Sequence, residues 1–167
     1  MPQIDIPDGP SPLTRRVWEL RPKLRDAVDA MSNAVFEQSD LSPRLRELLR
    51  MRIAQINGCQ VCIAFRDDAA LAEGVDEETL SQVGSAITDG RFSRRDQLVM
   101  DFATRFALDH HSMDDVYFAV LREHFDDGEI LDITFCVTRF LAFGRLTRVL
   151  GLDDVCELVP DRTALLS

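Results

Sequence analysis

No run of apolar residues in this sequence approaches the roughly 20 that a membrane-spanning helix needs, so the chain is not expected to cross a bilayer. Positive charge is also scarce. Lys and Arg number 19 against 29 Asp and Glu, a formal net charge of −10. No cluster of basic residues free of interleaved acids offsets that balance. Phosphate backbones and anionic bilayer surfaces are repelled, which argues against nucleic acid and membrane as partners. A Gly-rich phosphate loop is absent, as are tandem repeats and low-complexity segments. Nowhere do apolar and polar residues alternate as they do in a half-buried strand. The first ten residues contain neither the basic segment nor the apolar core of a secretory signal. The expected compartment is therefore the cytoplasm, where thiols stay reduced.

What is present reads as helix. With 167 residues, 46% of them apolar, the chain has the size and composition of one globular domain. The expected fold class is all-α, a single-domain helical bundle. Residues 1–40 form an N-terminal arm and helices. Pro2, Pro7, Pro10 and Pro12 keep the first part irregular. A short helix fits 13–20. Pro22 opens another, with Leu24, Val28, Met31 and Val35 on one stripe and an end near Gln38. Ser42 followed by Pro43 is an N-cap and first-turn pair. Leu45, Leu48, Leu49, Ile53 and Ile56 mark that helix's buried face, and Asn57-Gly58 ends it.

The spacing then predicts one helix from Cys59 to about Glu73, stopped by Gly74. Asp76 caps a short helix reaching Gly84, and Asp89-Gly90 marks a turn. Ser93 and Asp96 form a capping box for a helix to about Asp109, with Leu98, Val99, Phe102, Ala103 and Phe106 inward. Ser112 is the expected cap of the next helix, with Val116, Val120 and Leu121 inward. Residues 129–150 are apolar nearly all round. Such a helix is central to the fold or meets another subunit. Residues 152–167 form a tail.

The chemistry concentrates in the cysteines. In a reducing compartment Cys59, Cys62, Cys136 and Cys156 do not make a static disulfide framework, and a Cys-x-x-Cys pair is redox-active or metal-binding. Cys59 and Cys62 lie at i and i+3, on one face at a helix start. Unpaired N–H groups and the positive dipole end there favour a thiolate, and a second thiol one turn away can resolve its oxidised form as a disulfide. Zinc ligation with His110 and His111 has acceptable ligand types, but the pair has helical spacing rather than that of a zinc knuckle. His110, His111 and His124 fall near helix C-termini, where partial positive charge suits the dipole. Cys136 reads as a core residue and Cys156 as a tail residue.

The run Glu47, eleven residues, Cys59-x-x-Cys62, with Gln55-x-Asn57-Gly58 before the first cysteine, resembles the carboxymuconolactone decarboxylase superfamily, in particular its alkylhydroperoxidase-D-like branch. The resemblance covers about residues 41–151. It implies an all-helical fold assembling as homo-oligomers, trimers or hexamers, and a thiol peroxidase that needs no cofactor or metal. Cys62 would attack a peroxide substrate, and Cys59 would condense with the product. A dithiol reductant, in the family often a lipoyl-bearing partner, would restore the pair. Glu47 would start a proton relay toward Cys62. The chain departs from the family pattern four residues after the second cysteine, where the relay histidine is replaced by Arg66. Arginine cannot transfer a proton, but one helical turn from Cys62 it would favour the thiolate. It is equally suited to pairing with a neighbouring carboxylate. Two other readings fit the same residues: a lactone decarboxylase-like enzyme using Glu47 as acid or base, and a helical assembly module that kept the fold and lost the relay.

Overall fold

The computed structural model describes residues 1–84 and 90–153. These residues are helical, with no strand among them, and no described helix is long and apolar enough to cross a membrane. Helix α1 (Leu13–Arg16) runs into a 3-10 turn at Val17–Leu20. Helix α2 (Pro22–Asn33) widens into a π turn at Ala34–Gln38. Then come α3 (Pro43–Asn57), α4 (Gln60–Ala64), α5 (Asp68–Ala72), α6 (Glu77–Gln82), α7 (Arg94–Leu108), α8 (Asp115–Arg122) and α9 (Asp127–Val149).

Helix α3 is the axis of the fold, packing against both α7 and α9. Its start is capped as the sequence requires: the Ser42 hydroxyl accepts from the Leu45 N–H, and Pro43 occupies the first turn. Leu45, Leu48, Leu49, Met51 and Ile53 are buried, as are Arg46, Glu47 and Arg50, so the helix is enclosed on most sides. Burying each such apolar side chain contributes about 1.5–3 kcal/mol. Gly58, at φ 63°, adopts the left-handed conformation that ends the helix. Asn57 reaches across to α9 and donates to the Phe140 and Leu141 carbonyls at 3.2 and 3.3 Å. A Cβ at Gly144 would collide with the Asn57 amide, so glycine there allows the close approach. Gln55 donates to the Val83 carbonyl at 2.8 Å, tying α3 to the end of α6. The Gln-x-Asn-Gly run is thus a set of struts between helices.

The structure corrects three expectations. The single helix from Cys59 to Glu73 is two short helices, because Phe65 is extended and Asp67 caps a new start by accepting from the Ala69 N–H. Residues His110–Ser112 form a 3-10 turn, and Asp114 rather than Ser112 caps α8. Val116, expected inward, is 72% exposed, while Leu121 is buried. Helix α9 starts at Asp127 under a capping box from Asp126 and Glu129, and its apolar residues divide between two faces. Ile130, Ile133, Cys136, Val137, Phe140 and Gly144 face the core, while Leu131, Phe135 and Val149 face outward. Asp89 of the expected turn and residues 154–167 of the tail, Cys156 among them, lie outside the described residues.

Candidate active site

The site forms where α3, α4 and α9 meet. The left-handed turn at Gly58 brings the chain back so that Cys59 caps α4, its sulfur accepting from the Cys62 N–H at 3.4 Å. The two Sγ atoms are 2.6 Å apart. Cys59 is fully buried and Cys62 half-buried. The Cys59 thiol donates to the Cys62 sulfur, and this bond is the main cause that lowers the Cys62 pKa; the Arg50 and Arg139 charges add to it, against burial. The same bond, with burial, pushes Cys59 up. Of the two thiols, Cys62 is therefore the one that ionises first.

Glu47 and Arg50 are both buried on α3 and form a two-point ion pair, at 2.6 and 2.7 Å. Arg50 extends this pair to α4. It donates to the Cys62 carbonyl and, at 3.2 Å, to the Phe65 carbonyl. Its guanidinium lies 5.1 Å from the Phe65 ring centre. Arg66 closes α4 from the other side, donating to the Ile63 and Phe65 carbonyls at 2.6 and 2.7 Å. The last carbonyls of this five-residue helix are thus satisfied where the extended Phe65 ends it.

Cys62 faces two cavities. The smaller, about 70 Å³, is walled by Phe36, Val61, Phe65 and Phe140, with Arg50 and Arg139 also in its lining. The larger, about 120 Å³, is covered by Arg15 and Trp18 of the N-terminal segment and by Arg25 and Val28 of α2. Its far wall is Phe143 and Leu152, and Arg139 lines it too. The arm is fixed over it by the Gln3 N–H donating to the Leu150 carbonyl at 3.0 Å and by the Trp18 edge against Phe143.

Of the residues singled out in the sequence, Cys59 and Cys62 are in direct contact. Glu47 reaches them only through Arg50 and lines neither cavity. Arg66 also lines neither cavity; its guanidinium pairs with Glu77 of α6, with one contact at 2.7 Å. The carboxylate reading of Arg66 thus has its partner in Glu77. His110, His111 and His124 are absent from both linings. Sequence reasoning missed Arg50 and Arg139. The signals were an arginine at i+3 from Glu47, and a lone arginine on the apolar stripe that carries Cys136, Val137 and Phe140.

The model of the carboxymuconolactone decarboxylase family matches residues 22–108 of this chain. An uncharacterized protein of Bacillus subtilis, YdfG, is 23% identical over 117 residues, 69% of this chain and 79% of that protein. Among solved structures, an uncharacterized peroxidase-related protein of Ralstonia eutropha, described as an alkylhydroperoxidase AhpD core, superposes with a TM-score of 0.73 at 21% identity, covering 93% of this chain and 80% of that one. An uncharacterized peroxidase-related protein of Silicibacter gives a TM-score of 0.71 at 21% identity, covering 98% and 93%.

Proposed function

We propose that this chain, which belongs to the carboxymuconolactone decarboxylase family, is a thiol-dependent peroxidase of the alkylhydroperoxidase-D-like kind. One observation carries the proposal: Cys62, with its lowered pKa, opens onto two cavities while its sulfur lies 2.6 Å from that of Cys59. The Cys62 thiolate attacks the outer oxygen of a hydroperoxide. The O–O bond breaks, leaving a sulfenic acid on Cys62 and an alkoxide. The alkoxide takes its proton from the Cys59 thiol. The Cys59 thiolate then attacks the Cys62 sulfur, hydroxide leaves, and the disulfide forms. The pair loses the two electrons that the peroxide gains. A dithiol reductant, a lipoyl group being the family's example, returns them through a mixed disulfide.

In this scheme Glu47 does not carry the proton. Both its oxygens are held by Arg50, and an arginine does not titrate in this range. Its work is to fix Arg50 against the Cys62 and Phe65 carbonyls. The lactone decarboxylase reading would need Glu47 to face a cavity, and it lines neither.

Peroxide consumption coupled to dithiol oxidation tests the proposal. Cys62→Ser should fall to the buffer rate. Cys59→Ser should give a single turnover that ends as a trappable sulfenic acid. Activity retained in Cys62→Ser but lost in Glu47→Gln would replace this reading with acid–base chemistry.

The proposal includes assembly as a trimer or hexamer. The support is the outward line of Leu131, Phe135, Ala142 and Val149 along α9, apolar and uncovered within one chain. Light scattering should give three or six times 18.9 kDa, and a mass of 18.9 kDa would refute it.

A further inference from the structure

We propose that Arg139 is the counter-cation of the Cys62 sulfur, a positioning residue that keeps this cysteine ready for attack without a proton acceptor. The inference rests on the peroxidase reading for its purpose and on geometry for its substance.

Arg139 sits on α9, and it is half-buried. Its guanidinium lies 5.6, 4.9 and 5.6 Å from the ring centres of Phe36, Phe140 and Phe143. Nε and Nη2 donate to the Ser32 hydroxyl at 3.3 and 3.0 Å. That hydroxyl in turn donates to the Val28 carbonyl at 2.9 Å. Three rings and one hydroxyl therefore fix the group, and Nη1 has no hydrogen-bond partner among the described residues. No carboxylate among the described residues pairs with Arg139, in a chain carrying ten more acids than bases. A cation held in an aromatic surround without an anion is costly unless an anion is supplied. Arg139 and Cys62 line the same two cavities, so the anion that this cation would face there is the Cys62 thiolate.

The other groups around Cys62 do this work only in part. Arg50, from α3, also favours the thiolate, but it arrives with Glu47 bound to it at 2.6 Å and spends its other bonds on the Cys62 and Phe65 carbonyls. Cys59 supplies the hydrogen bond but no cation. Asp153, beyond α9, acts against the thiolate and is itself bridged to Arg148 at 3.1 Å. Across the larger cavity, Arg25 of α2 is paired with Asp29 at 3.4 Å, and Arg15 stands on the N-terminal segment. No histidine lines either cavity. Arg139 is the cation on this wall whose charge is left for the sulfur.

The test is the pH dependence of Cys62 alkylation, resolved by peptide mass spectrometry on the reduced full chain, in wild type, Arg139→Met and Arg139→Lys. An opposite charge near a titrating group shifts its pKa by up to about one to three units. Arg139→Met should raise the alkylation midpoint by about one unit. Arg139→Lys should restore most of it, which a purely packing role would not do. Peroxide kcat/KM should fall about tenfold in Arg139→Met at pH 6 and recover at pH 9, because higher pH restores the thiolate. Midpoints within a few tenths of a unit in all three proteins would overturn the inference. If wild type consumes no peroxide while the midpoint still moves, the peroxidase reading falls and Arg139 keeps its role.

Discussion

Cys62 and Cys136 lie within the field of the same arginines, and their thiols are pushed in opposite directions. Arg50 and Arg139 both favour the anion at each sulfur. Yet Cys62 is lowered and Cys136 is pushed up to about 12. The difference is what surrounds the sulfur. Cys136 is 1% exposed on the core face of α9, and burial dominates everything else. Cys62 stands at cavity mouths with a thiol donating directly to it. Nearby cations alone do not make a nucleophile. A short hydrogen bond to the anion and an opening to solvent are needed as well.

The comparison breaks most visibly under alkylation. At pH 7 a thiol of pKa about 12 is ionised roughly once in 10⁵, and here it is also enclosed. Iodoacetamide at neutral pH should therefore modify Cys62 in minutes and leave Cys136 untouched until the chain unfolds. Site-resolved mass spectrometry with and without denaturant measures both. Labelling of Cys136 in the folded protein at a rate near that of Cys62 would show that burial does not separate them.

How much of this was legible in the sequence depends on where each residue finds its partner. Ser42-Pro43, Gly58 and the Ser93/Asp96 capping box act on backbone within four residues, and each stands where the local pattern places it. The Cys59/Cys62 contact is local too. The break after Ala64 has a local sign in Asp67, which caps the next start, but the groups that take the last carbonyls of α4 come from Arg50 on another helix and from Arg66, whose carboxylate partner lies eleven residues on. Arg139 reaches Ser32 across 107 residues of chain. An arginine on an otherwise apolar helix face is a sign of such a contact, but its partner is set by the packing of α2 on α9. Val116 shows the opposite failure. Its spacing to Val120 is helical, but it stands in the first turn of α8 and is exposed, which local periodicity does not reveal.

The smallest expected effect belongs to Arg66, and it sharpens the same lesson from outside the site. Two arginines close α4, and only Arg50 stands beside the cysteine. Arg66 turns to Glu77, whose side chain is 71% exposed, in a surface bridge of the kind that contributes about 0–1 kcal/mol. Its other bonds are to the Ile63 and Phe65 carbonyls, at a helix end where water can substitute. Arg66→His should therefore lower stability by about 1 kcal/mol and leave peroxide turnover within about twofold of wild type. A denaturant titration and a steady-state peroxide assay measure the two. A proton carrier restored next to the sulfur would instead accelerate turnover by about 10²–10⁴-fold. A rise of that size in Arg66→His would mean that position 66 reaches Cys62 during the reaction. The line drawn here, between an arginine that serves the thiol and one that serves the fold, would then have to move.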